Sequence, residues 1–152
     1  MAVTVIGIRC DLPFSEIIDH FRGLGGDAVL LNPKYVCGRD HILSAVMHAE
    51  RAFAQGTNRS KSVITETILY AACERQISKA LAKMRPEEGC SGMAAAVFGV
   101  TDLCLDRIKA SADDSLLECT DEKAKCLGIY VPGIPPEDLI LEMVAVMDIQ
   151  KQ

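Results

Sequence analysis

A chain of 152 residues is long enough for one domain with its own core and short for two. With 49% apolar and 24% charged residues it has the balance of a folded globular protein, which argues against a disordered chain. A net charge of −5 at pH 7 argues against a uniformly basic nucleic-acid binder, and no apolar run reaches the ~18 residues that would cross a bilayer.

The opening Met1–Ile8 stretch has no basic leader and reads as a first strand over Val3–Ile8, not as a secretion signal. Asp11-Leu-Pro13 forms a turn, Phe14–Phe21 has helical periodicity, and the glycines from Gly23 to Gly26 break it. Ala28–Leu31 is a second short strand. Asp40 is a good N-cap for a helix whose apolar stripe is Ile42, Ala45, Val46, Ala49 and Phe53. A long helix, or two nearly collinear ones, is expected from about Ser62 to Met84. Met93–Val100 is an apolar run bounded by turn signals, a buried strand candidate. Asp102–Ala110 looks helical. Ser111–Lys125 is polar and acidic, a loop carrying a short helix, and Leu127–Val131 reads as a strand. Pro135-Pro136 and Glu137 open a last helix to about Asp148, with proline favoured in its first turn. Strands alternating with helices make a single α/β (α+β) domain, a small sheet packed with several helices.

Seven cysteines, none spaced Cys-x-x-Cys, signal neither a disulfide framework nor a zinc site. They read as small core residues in a reducing, cytoplasmic setting. Other chemistry is equally sparse. Gly23-Leu-Gly-Gly26 follows a helix, the wrong context for a phosphate loop. His41 and His48 are seven residues apart, about 10 Å along one helix face, and read as partly exposed histidines rather than a metal pair. His20 stands at a helix end, where it can meet the negative end of the dipole. Glu66 and Glu74 read as surface salt-bridging or capping residues. No nucleophile, base and orienting group come together, so no catalytic residue, metal or cofactor is expected.

The charge is unevenly spread. Gly56–Arg85 carries a net +4, against −7 for Thr101–Asp148. On a wheel of about 100° per residue, Leu69, Tyr70, Cys73, Ile77, Ala80, Leu81 and Met84 form a broad core face. Arg75, Lys79 and Lys83 follow one another at i,i+4 on a different ridge, which continues as Ile64 and Ile68. Cations for phosphates beside apolar groups for bases suit a nucleotide strand, although a solvated face with two isoleucines under a neighbouring segment fits the same pattern.

At these residues the chain resembles a known family. Glu66, Ile68, Leu69, Tyr70, Arg75, Gln76, Ile77 and Ala80, with His41-Ile42 and Ala45 before them and Leu141–Ile149 after, resemble the kinase-binding accessory subunit of the KEOPS (EKC) complex, the TPRKB family. The likeness runs from about Asn32 onward. It implies a compact fold without activity of its own and a small atypical kinase as partner. It also implies a part in threonylcarbamoyladenosine modification of tRNA and, in archaeal members, a grip on the single-stranded 3′ end of tRNA. The short chain suits an archaeal source. Arg75 and Lys79 match both the motif and the physics of an RNA contact; Lys61, Lys83, Ile64 and Ile68 extend it from the wheel. Leu139, Met143, Val146 and Met147 on the last helix are the expected kinase contacts, with simple core packing as the other reading. Self-association stays open. The rival function is a small enzyme or small-ligand protein with a cleft near Val100–Thr101 or Val131–Gly133.

Overall fold

The computed structural model describes residues 2–87 and 89–150. Its elements in chain order are β1 (Val3–Arg9), α1 (Phe14–Gly23), β2 (Asp27–Leu31), α2 (Arg39–Gln55), α3 (Val63–Ala72), α4 (Ile77–Met84), β3 (Gly92–Phe98), β4 (Ser111–Ala112), α5 (Asp121–Leu127) and α6 (Pro136–Gln150). Short 3-10 turns stand at Pro33–Tyr35, Leu105–Ile108 and Asp114–Leu117. The strands form one sheet in the order β2-β3-β1-β4, and every pair is antiparallel, which makes the fold α+β.

Period-two alternation explains how helices come to cover both faces. Val29 and Leu31 of β2 and Ala94, Ala96 and Phe98 of β3 join the core shared with α2, α3, α4 and α6. Their neighbours Ala28, Leu30, Met93, Ala95 and Val97 join a second core with Ile17 and Phe21 of α1. A central strand buried on both sides needs no polar face, and all seven residues of β3 are buried. The run Met93–Val100 reads as continuous for that reason.

The acidic segment covers the edge of the sheet. β4 pairs with β1, and the Asp113 N–H donates to the Gly7 carbonyl at 2.7 Å. A Cβ on Gly7 would stand 2.0 Å from the Asp113 carbonyl oxygen, so only glycine admits this strap. Its acids are met by arginines. Arg9 pairs with Asp113 at 2.6 Å and Arg39 with Asp114 at 2.8 Å. The Asp113 carboxyl is held below its usual range by hydrogen bonds from Ser115 and Arg9. An unpaired strand edge is an aggregation hazard, and the strap removes it.

Several expectations change, four of them here. Leu127 ends α5 and residues 128–131 form a loop, so the strand expected over Leu127–Val131 is absent; Leu127 and Ile129 instead pack with Cys37, Ala124 and Ile140 in a third small core. The helix expected over Asp102–Ala110 shrinks to one 3-10 turn. His41 and His48 are not surface residues, with 0% and 8% exposure. Cys37 and Cys119 are bonded as a disulfide across 82 residues of sequence, a pairing that spacing did not signal.

Two candidate docking surfaces

The long helix around Ser62–Met84 is broken, and the break decides which predicted site residues share a surface. Ser62 caps α3, its hydroxyl accepting from the Thr65 N–H at 3.1 Å. At the other end Cys73 adopts a left-handed conformation (φ 53°), and the Glu74 N–H closes back onto the Leu69 carbonyl at 3.2 Å, as in a Schellman cap. The Ala72 carbonyl, left free by the break, accepts from Lys83 Nζ at 2.8 Å. Lys83 Nζ also lies 5.8 Å from the Tyr35 ring centroid. Lys83 is therefore an internal cap and not the third cation of a ridge.

The break also turns α4 relative to α3, so one wheel does not describe both. Ala80 and Met84 remain buried, but Ile77 and Leu81 are 38% and 44% exposed, against the expectation that both belong to the core face. Ile64, Ile68 and Leu81 instead line an open groove of about 270 Å3, with Phe14 and Ile18 of α1 at its far wall and Arg85 at its rim. Arg75 and Lys79 are exposed and have no ion pair among the described residues. Lys79 stands about 200° round α4 from Leu81, so it does not border this groove. The cation that does is Arg85, which the wheel did not single out. Lys61 is exposed in the turn before α3.

That turn is held by Glu66, which is fully buried and not on the surface as expected. Its carboxylate accepts from the Arg59 and Ser60 N–H groups at 3.1 and 2.9 Å and from the Ser60 hydroxyl at 2.8 Å. Three donors converge on one internal carboxylate, an arrangement that fixes a loop.

The second surface lies along α6. Leu139, Met143, Val146 and Met147, the four expected kinase contacts, line one open groove of about 360 Å3 with Gly128, Ile129 and Val131 of the loop after α5, and with Cys73. Their burial is graded. Ile140, Val144 and Met147 face the core, Leu139 is half-buried, and Met143 and Val146 are 36% and 42% exposed. Around them Tyr130, Val131 and Ile134 are exposed on the loop and Ile149 at the helix end. The Cys73 thiol in this groove is pushed up to about 11 by burial, so it stays protonated and unreactive at neutral pH.

Buried polar pairs position α6 and the loop. The Asp148 carboxylate accepts from the Tyr70 hydroxyl of α3 and from His48 Nδ1 of α2, and the His48 and Tyr70 rings stack at 5.4 Å. Burial and the Asp148 contact raise the Tyr70 hydroxyl above its ordinary range. His41 Nδ1 accepts from the Cys37 N–H at 3.0 Å, which leaves Nε2–H to donate to the Ala71 carbonyl at 2.9 Å. Its burial pushes the ring pKa down to about 4, so the imidazole is neutral. Cys37, disulfide-bonded to Cys119, sits in the small core beneath the loop.

Of the clefts expected for an enzyme, Val131 falls in the α6 groove, and Val100 is buried in the α1 core. A third groove, about 590 Å3, lies between Asp11–Ser15 and Arg85 with Gly89–Ser91. Among the described residues no three His, Cys, Asp or Glu side chains are placed to hold a metal ion, and no helix is long and apolar enough to cross a membrane.

An α+β protein whose most apolar surfaces are shallow, open and built on helix faces is shaped to seat other chains. The family model of the kinase binding protein CGI-121 matches residues 16–127, and the chain belongs to that family. No individually curated protein matches it.

Proposed function

We propose that the chain is the kinase-binding subunit of a KEOPS-type complex and that it acts by binding, without a catalytic step. The small kinase docks in the α6 groove, and the single-stranded 3′ end of tRNA lies on the α3–α4 side, in support of threonylcarbamoyladenosine formation. The observation that carries the kinase reading is the groove holding Leu139, Met143, Val146 and Met147, apolar and open in a member of a kinase-binding family. Partly exposed methionines adapt well to a partner's surface. The RNA reading is supported by the exposed Arg75, Lys79 and Lys61, the first two without an ion pair among the described residues, and by the apolar groove of Ile64 and Ile68 rimmed by Arg85. Cytoplasmic placement belongs to the same reading. The Cys37–Cys119 bond is the observation set against it, because reducing compartments disfavour disulfides.

The test uses the purified full chain, its KEOPS kinase subunit, and tRNA with and without the unpaired 3′ tail. The expected result is a stoichiometric complex with the kinase, and RNA binding that falls with salt and with removal of the tail. Absence of a kinase complex contradicts the first half, and equal binding of trimmed tRNA contradicts the second.

A further inference from the structure

The α6 groove has an electrostatic character that its apolar lining does not suggest. Between Pro136 and Asp148 the helix carries Glu137, Asp138, Glu142 and Asp148 and no lysine or arginine. Asp148 is held from inside by Tyr70 and His48. Asp138 and Glu142 are different: both are exposed, and neither has an ion pair among the described residues. They stand at i,i+4 with Val146, on the ridge beside Leu139, Met143 and Met147, and Glu142 itself lines the groove. Like charges at that spacing repel, so intrahelical pairing does not account for them.

We propose that the groove recognises a segment of the kinase in which an apolar side chain is flanked by lysine or arginine, the apolar group seated between α6 and residues 128–131 and the cation set against Asp138 and Glu142. This rests on the kinase-docking reading above. Charge separates this occupant from the others. Phosphates would meet carboxylates here, which disfavours RNA. A second copy docked through a two-fold axis would bring the same acids onto one another, since such an interface is made of one patch twice. A head-to-tail copy offering its basic Gly56–Arg85 segment would build a ring or an open-ended chain of molecules, so the oligomeric state of the free protein reports it. A basic-flanked partner satisfies the apolar and the charged parts together, and complementary charge at a rim speeds and orients docking.

The experiment is a titration of labelled kinase subunit with four folded forms of the full chain: wild type, Val146→Glu, the double variant Asp138→Lys with Glu142→Lys, and a remote double variant, Asp19→Lys with Asp106→Lys. The last makes the same change of net charge elsewhere. The α6 charge reversal is expected to weaken binding about tenfold or more at ~0.05 M salt, with the gap closing toward ~0.5 M as the rim is screened, while the remote reversal stays within about twofold. Should the α6 reversal fail to fold, Asp138→Asn with Glu142→Gln is the substitute, with a smaller loss of the same salt dependence. Equal affinity of the charge-reversed protein, with Val146→Glu still disruptive, overturns the basic-flank inference and leaves the groove as the docking site. Full affinity of Val146→Glu overturns the docking reading itself.

Discussion

The two grooves have similar apolar linings and opposite rims. The α6 groove is edged by Glu142, with Asp138 one turn before it, and shaped by a helix that is anchored at Asp148 and backed by its own small core. The α3–α4 groove is edged by Arg85, with Lys79 on the neighbouring face of α4 and Arg75 in the turn before that helix. On the proposed reading the difference separates two partners by charge: an apolar floor supplies affinity to almost any chain, and the rim decides which chain is admitted. His41 joins the two regions, holding Cys37 beside the α6 core and Ala71 at the end of α3.

That shared joint gives the largest expected effect. Folding depresses the His41 pKa from 6.5 to about 4, so the unfolded chain binds the proton more readily than the folded one. The stabilisation is complete above pH 6.5 and is lost as pH falls toward 4, by about 3 kcal/mol in all. Urea unfolding followed between pH 7 and 4 measures it, and His41→Gln flattens the dependence. A slope unchanged in that variant removes His41 from the joint.

Breaking one surface and sparing the other comes next. Val146→Glu places a charge in the apolar floor and is expected to lower kinase affinity about a hundredfold, with tRNA binding within twofold of wild type. Arg75→Glu with Lys79→Glu is expected to do the reverse, lowering tRNA affinity well over tenfold with melting temperature and kinase binding almost unmoved. Fluorescence titrations of both ligands against both variants make a two-by-two comparison, and loss of both ligands in either variant would merge the surfaces. The smallest effect sharpens the border between them. Lys83→Met leaves the Ala72 carbonyl without its cap and is expected to cost about 1 kcal/mol of stability, with tRNA affinity within about twofold. A tenfold loss of tRNA affinity would return Lys83 to the cationic surface.

Much of this was legible from the residues alone, and the misses have physical causes. The short apolar runs Ala28–Leu31 and Met93–Val100 mark strands because strands covered on both faces read as continuous apolar stretches. The stripe on α2 was readable because Ile42, Ala45, Val46 and Ala49 all pack inward. The break at Cys73 was not, because Ala71-Ala72-Cys73-Glu74 contains neither glycine nor proline; it is made by a left-handed cysteine and a lysine from eleven residues away. Once it is missed, a single wheel moves Lys83 outward, Leu81 inward, and Arg85 out of view. Leu139, Met143, Val146 and Met147 share one groove because one uninterrupted helix carries them. Glu66 and the histidines looked superficial because their partners are backbone groups and residues far along the chain. The Cys37–Cys119 bond is equally invisible to local spacing, because it joins positions 82 residues apart.

Amide hydrogen exchange on the chain, alone and with saturating kinase subunit, tests the docking surface most directly. The account predicts new protection confined to residues 128–131 and to α6 around residues 139–147, with α4 exchanging as in the free protein. Protection appearing over residues 77–85 while α6 stays unchanged would place the kinase on the cationic side and contradict it.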